Sequence, residues 1–254
     1  MIYFVGAGPG ATDLITVRGD KLLREADVII YAGSLVNTEL LKAAKKGCEV
    51  FDSAKMTLEQ VIEKMLEAEQ NQKLTVRLHT GDPSIYGAVR EQMDELLKHG
   101  VEYAQVPGVS ALCGAAASLK AEYTLPGVSQ TVIITREEGR TPVPKREQIA
   151  CLASHGATMA VFLSAGLLEK LVQNLLAGGY APDCPAAIVY KATWPQEKII
   201  RTSVSNLAAD AKREGIEQTA LILVGGFLGG GYDRSKLYHP GFTHGFRRGA
   251  GDEA

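Results

Sequence analysis

The sequence predicts an α/β protein made of two α/β lobes with mostly parallel and mixed sheets. Three observations carry this. Short apolar strand-like runs alternate with amphipathic helix-like runs through the first half. That rhythm builds a parallel sheet with helices on both faces. Near residues 122–127 the texture changes, and a second series of strands and helices begins. The length, 254 residues, suits one large α/β domain or two smaller lobes. The lobes are assigned to 1–115 and 116–235. Residues 236–254 form a tail beyond the Gly229-Gly230-Gly231 run.

The first strand, 2–5, runs into Gly6-Ala7-Gly8-Pro9-Gly10. A helix pattern covers 16–26, and a second strand 28–31. Residues 58–68 are helical because Leu58, Val61, Ile62, Met65 and Leu66 recur at helical spacing. A strand (74–78), a helix (88–98) and a strand (102–106) follow. Pro107-Gly108-Val109-Ser110 then opens a small-residue helix through Ala111, Ala115, Ala116 and Ala117. In the second lobe, strand 131–135 ends in the polar loop 136–144. Strand 159–163, helix 167–177, strands 186–190 and 198–203, helix 204–214 and strand 220–224 complete the chain.

Composition narrows the function classes. Hydrophobic residues make up 46% and charged residues 22%, as expected of a packed core and not of a disordered chain. A net charge of −2 offers no general field for nucleic acid or an acidic membrane. No apolar run approaches bilayer length, and the N-terminus reads as a strand, not a signal peptide. Cys48, Cys113, Cys151 and Cys184 are scattered, with no CxxC. Reduced thiols in a cytoplasm are expected, not a zinc site or a disulfide framework. His239 and His244 fit no zinc spacing, and Arg247 with Arg248 makes no groove-binding surface.

The run 78–87, LHTGDPSIYG, should cross from the carboxyl end of a strand to a helix start. Ligands of open α/β sheets sit at that edge. Gly81 allows close backbone approach. Asp82 places a carboxylate at the rim, and Pro83 pushes it toward extended geometry. Ser84 is expected to cap the next helix. The plainer reading is an ordinary strand-to-helix turn. Residues 106–111, VPGVSA, repeat the arrangement, so the Gly81 and Gly108 loops should meet at one sheet edge. With Asp82, the hydroxyls of Ser84, Tyr86 and Ser110, and small Ala111, that edge suits an uncharged-to-cationic ligand with a ribose and an amino-acid part. A phosphate ligand calls for lysine or a nest of amides, and no GxxxxGK[ST] occurs.

Gly6-x-Gly8-x-x-Ala11 fits a loose dinucleotide fingerprint. Pro9 stiffens that turn, however, and the second strand ends in Tyr31-Ala32-Gly33 without the ribose-binding acid. A nicotinamide dehydrogenase is therefore disfavoured. A plain glycine turn and a loop lining a ligand trough remain, and the trough is preferred.

VGAGPG followed by LIT, the GDPSIYG and VPGVS turns and the final ALILVG strand together resemble the tetrapyrrole (corrin and sirohaem) methyltransferase family. The resemblance spans essentially the whole chain. YAGSLV (31–36), 77–93, LPGVSQTVIITR with EGRTPVP (125–144), ATWPQEKI (192–199) and SKLY (235–238) resemble the family's C-11 branch, which acts on precorrin-4 or cobalt-precorrin-4 in cobalamin synthesis. One departure stands out: family members commonly carry Asp-Pro-Asp where this chain has Ala11-Thr12-Asp13. Asp13 is expected to cap the following helix.

The resemblance implies a cytoplasmic, homodimeric enzyme that binds S-adenosylmethionine in the cleft between its lobes and releases S-adenosylhomocysteine. It implies Pro9, Gly81, Asp82, Ile85, Ser110 and Ala111 as cofactor contacts from the first lobe. Leu163, Ser164, Ala192 and Ala220 are the contacts implied from the second. Arg136 and Arg140 would take the carboxylates of the tetrapyrrole, which suit a planar guanidinium; Lys145, Arg146, Arg18 and Lys120 are lesser candidates. The plainer reading of this cluster is a solvated basic loop. No metal, nucleophile or obligatory base is expected, and Asp82 and Tyr86 are assigned positioning. Tyr86, Asp82 or an ordered water is open as proton acceptor. His79 is read as a packed or rim histidine and not a base, and Trp194 as a packing residue of the second lobe. A family member acting at another ring carbon, or a non-catalytic tetrapyrrole carrier, is the competing reading.

Overall fold

The computed structural model describes residues 1–250. The chain divides into two units. The first comprises Met1–Ala115 and Lys191–Glu197, and the second Ala116–Tyr190 and Lys198–Ala254.

The first unit holds strands β1 (Ile2–Gly6), β2 (Val28–Tyr31), β3 (Glu49–Asp52), β4 (Thr75–His79) and β5 (Tyr103–Val106) in one sheet, in the order β3-β2-β4-β1-β5. All its pairings are parallel. Helices α1 (Val17–Glu25), α2 (Leu58–Gln70) and α3 (Arg90–Lys98) cover it. Period-two alternation along the strands sorts the core onto two faces. Val5, Ile29, Val76 and Leu78 pack with Leu22 and Leu23 of α1. Ile2, Phe4, Val28 and Ile30 pack with Val61, Ile62 and Met65 of α2 and Met93 and Leu96 of α3. Each such buried side chain contributes up to about 1.5–3 kcal/mol of transfer free energy. Thr57 and Gln60 form a reciprocal cap at the start of α2.

Helix α4 (Ala111–Leu119) contains the boundary between the units. In the second unit β6 (Val132–Arg136), β7 (Thr158–Phe162), β8 (Pro185–Tyr190), β9 (Lys198–Ser203) and β10 (Ala220–Val224) form a sheet in the order β6-β7-β10-β8-β9. Only β6 and β7 run parallel; β10 is antiparallel to β7 and β8, and β8 to β9. Helices α5 (Ile149–Ala153), α6 (Leu168–Ala177) and α7 (Leu207–Arg213) share one core with Met159, Val161, Ile188, Ile222 and Val224. The predicted fold class, two α/β lobes with mostly parallel and mixed sheets, is what the chain adopts: the first sheet is parallel and the second mixed. No described helix is long and apolar enough to cross a membrane.

Two elements were not expected from the sequence, the edge strand β3 and the short helix α5. Two caps differ as well. Thr16, not Asp13, caps α1, accepting the Gly19 amide at 3.1 Å. Ser84 caps nothing: α3 starts only at Arg90, because Tyr86 and Ala88 take φ of 55° and 48° and break the approach to the helix.

Candidate active site

In the first sheet β1 lies between β4 and β5, so the loops that follow these three parallel strands emerge side by side. Their glycines bring the backbones together. Gly81 takes φ of 58°, a left-handed conformation, and pairs with Gly8 in an isolated bridge. A Cβ on Gly6 would stand 2.5 Å from Gly108 Cα and 2.6 Å from the Gly81 carbonyl oxygen. A Cβ on Gly108 would stand 2.7 Å from Gly6 Cα. Only glycines admit this approach.

The amides of this cluster are committed inward. Ala7 N–H donates to His79 O at 2.7 Å, Gly8 N–H to Gly81 O at 3.3 Å and Gly81 N–H to Gly8 O at 2.8 Å. Gly108 N–H donates to Asp82 Oδ2 at 2.8 Å, and Ser84 N–H to Asp82 Oδ1 at 2.8 Å. The Ser84 hydroxyl donates to Asp82 Oδ1 too. Burial pushes the Asp82 carboxyl up, but these donors outweigh it and hold its pKa below the ordinary carboxylate value. Ser110, almost buried, accepts the Leu112 amide at 3.2 Å and starts α4.

The Lys191–Glu197 segment belongs to the same unit. Trp194 Nε1 donates to Pro9 O at 2.9 Å, and Ala11 N–H donates to Thr193 Oγ1 at 3.0 Å. A Cβ on Gly10 would stand 2.7 Å from Trp194 Cγ, so the indole lies directly on this loop. Trp194 is thus a packing residue, as expected, but of the first unit. Ala192, expected from the second lobe, likewise lies in the first unit, because segment 191–197 packs on the Pro9 loop, so Pro9, Gly81, Asp82, Ile85, Tyr86, Ser110, Ala111 and Ala192 belong to one set of loops. Within it Tyr86 is 45% exposed and Ala192 6%.

In the second unit, the carboxyl ends of β6 and β7 lie at one edge, and the antiparallel register of β10 brings Ala220 to that edge. Ser164, fully buried, accepts the Glu137 amide at 2.8 Å and donates to Phe162 O at 2.6 Å. It secures the turn in which Leu163, at φ of 53°, stands 64% exposed. Arg136 donates to Thr141 O at 3.1 Å and Pro142 O at 2.7 Å, closing loop 136–144 on itself. Arg140, on that loop, is exposed. The sequence did not single out Glu137, only 3% exposed, which accepts from Asn174 and from the Glu138 amide, each at 2.9 Å. Lys170 Nζ lies 3.3 Å from it. Glu137 ties the basic loop to α6.

The roughly 650 Å³ groove on the first unit, lined by Leu58, Ile62, Leu66, Glu95 and His99, contains no residue of the loop cluster.

Residues 1–208 match the model of the tetrapyrrole (corrin/porphyrin) methylases. A cobalt-precorrin-4 C(11)-methyltransferase of Methanocaldococcus jannaschii is 53% identical over 97% of this chain and 96% of that protein. The X-ray structure of a cobalt precorrin-4 methyltransferase, a cobalamin biosynthetic enzyme, superposes with a TM-score of 0.88 at 48% identity, covering 90% of this chain and 96% of that one. The uroporphyrin-III C-methyltransferase of Thermus thermophilus, solved with S-adenosyl homocysteine, gives a TM-score of 0.73 at 26% identity over 90% of this chain and 93% of that one.

Proposed function

The chain belongs to the tetrapyrrole (corrin/porphyrin) methylase family, and from that premise we infer that it transfers a methyl group from S-adenosylmethionine to C-11 of (cobalt-)precorrin-4, giving (cobalt-)precorrin-5 in cobalamin biosynthesis. The relative and the solved structure with the highest identities above are both named for the cobalt form, and we take cobalt-precorrin-4 as the substrate.

One observation of the site carries the choice of donor: the Ala7, Gly8, Gly81 and Gly108 amides are already bonded. A phosphate needs such amides free. A cationic nucleoside needs carbonyl and carboxylate acceptors and small surfaces, which these loops provide. We assign Pro9, Gly81, Asp82, Ile85, Ser110, Ala111 and Ala192 to the donor. Leu163, Ser164 and Ala220, the other donor contacts implied by the family resemblance, stand at the second unit's own edge; Ser164 would act there by holding its turn.

S-adenosylmethionine supplies a methyl group already activated on a sulfonium sulfur. The protein's part is to fix donor and ring carbon in line and to exclude water. Asp82, its carboxylate held ionised by bonds to two loops, positions the backbone and is a poor base. Arg140 receives ring carboxylates, and Arg136 shapes the loop that presents it. We further propose a cytoplasmic homodimer, on the family likeness and on the free state of all four cysteines. Light scattering after size exclusion tests the dimer.

The reaction is tested with methyl-labelled S-adenosylmethionine and cobalt-precorrin-4. One label per ring at C-11 is expected; label at another carbon assigns a different member of the family, and no label transfer with a bound donor defeats the enzyme reading.

A further inference from the structure

The α2/α3 face of β4, the middle strand of its sheet, carries a polar column where apolar residues would be expected. Thr75, Arg77 and His79 are 0%, 5% and 3% exposed. Among the described residues Arg77 has no carboxylate partner. Its Nε donates to Gln92 Oε1 at 2.9 Å and its Nη1 to Ile30 O at 3.1 Å. Burying a guanidinium without a counter-charge is costly, and sequences break such local rules mostly where function demands it.

The consequence appears one bond further on. A guanidinium only donates, so it captures the oxygen of the Gln92 amide and leaves the nitrogen facing away. That nitrogen donates to Ala88 O at 2.9 Å. Ala88 ends the segment in which Ala88 and Tyr86 hold left-handed conformations without being glycine. Such residues persist only where surrounding contacts over-determine them. The same segment begins at Gly81 and Asp82.

We propose that the Arg77–Gln92 pair positions the donor-binding loop, with Arg77 setting the orientation of the Gln92 amide and Gln92 tethering the loop at Ala88. The proposal rests on the assignment of S-adenosylmethionine to this loop. Arg77 and Gln92 are positioning residues; neither is placed on the donor.

Gln92→Glu separates tether from scaffold. It keeps an acceptor for Arg77 and adds the missing charge, so folding is retained, but it turns an oxygen toward the Ala88 carbonyl. A second variant, Arg77→Met with Gln92→Met, replaces both partners by apolar side chains at once and removes the uncompensated buried charge with them, a change such sites often tolerate. S-adenosylhomocysteine affinity is read by calorimetry, and amide exchange is followed over residues 82–90. Both variants should keep the wild-type Tm or exceed it and exchange faster over 85–89. Both should bind S-adenosylhomocysteine about five- to ten-fold more weakly, as for one lost hydrogen bond. Wild-type affinity in either folded variant overturns the proposal, whatever the exchange shows. Failure of the wild-type protein itself to bind S-adenosylhomocysteine would instead remove the donor assignment, and this proposal with it.

Discussion

Asp82 Oδ2 accepts the Gly108 amide at 2.8 Å, so a carboxylate on the loop after β4 holds the loop after β5. Its other oxygen holds Ser84. Asp82→Ala should therefore loosen two loops at once. The expected loss is about 1–3 kcal/mol of stability, that of partners left unpaired, with markedly weaker S-adenosylhomocysteine binding. Gly108→Ala should be harsher, at about 3 kcal/mol, because its methyl would press on Gly6 and on the Gly81 carbonyl. Thermal unfolding and calorimetry read both variants. A stable Gly108→Ala protein with wild-type affinity would show that the close approach is dispensable.

The two arginines of the basic loop should behave differently. Arg136 bonds Thr141 O and Pro142 O, whereas Arg140 is exposed. Arg140→Ala should raise the KM for the tetrapyrrole several-fold and leave Tm and donor affinity alone. Arg136→Ala should lower Tm as well, because the loop loses its internal bonds. Lysine at 136 should restore little, since an ammonium cannot reproduce the planar fork. Equal effects of the two alanine variants on KM and Tm would contradict this division.

The convergence of the Gly81 and Gly108 loops was legible because each motif marks a strand's carboxyl end, and parallel strands place such ends together. What escaped was set by tertiary contact. β3 is an edge strand with Glu49 and Val50 exposed, so it shows no apolar alternation. α5 has five residues, too few for a helical period to register. GDPSIYG reads as a helix start with Ser84 in the capping position, yet Ala88 is bonded by Gln92 in a left-handed conformation that no local pattern reports. A guanidinium facing its own loop and one facing solvent look alike in sequence, as Arg136 and Arg140 illustrate.

His79 should make stability fall with acid. It is 3% exposed, stacks on Phe4 at 6.2 Å, and among the described residues its Nε2 has no hydrogen-bond partner. Burial first, and the Arg77 charge second, push its pKa down to about 3. The unfolded chain takes up this proton near pH 6.5, but the folded protein resists until about pH 3. Stability from this group is therefore complete above pH 6.5 and declines as pH drops toward 3, by up to about 1.4 kcal/mol per unit. His79→Phe keeps an aromatic ring against Phe4 and removes the titration. In urea unfolding at pH 7, 6 and 5, its stability relative to wild type should rise as pH falls. Parallel pH profiles would refute the assignment.

Trp194 is the chain's single tryptophan, so its fluorescence reports one place. Its indole nitrogen donates to Pro9 O at 2.9 Å, and its ring lies on Gly10, within the loop assigned to the donor. Lys191 Nζ stands 5.4 Å from the ring centroid, adding a cation to its surroundings. Donor binding against Pro9 should perturb that carbonyl and hence the indole bonded to it. Titration with S-adenosylhomocysteine should change the emission saturably, at the Kd found by calorimetry. NAD should leave it unchanged. Trp194→Phe, which keeps the stacked ring and loses the donor to Pro9 O, should cost about 1 kcal/mol and weaken binding modestly. Gly10→Ala should be worse, because its methyl would occupy the indole's place. Calorimetric binding of S-adenosylhomocysteine with no change in tryptophan emission would put the donor elsewhere than on the Pro9 loop.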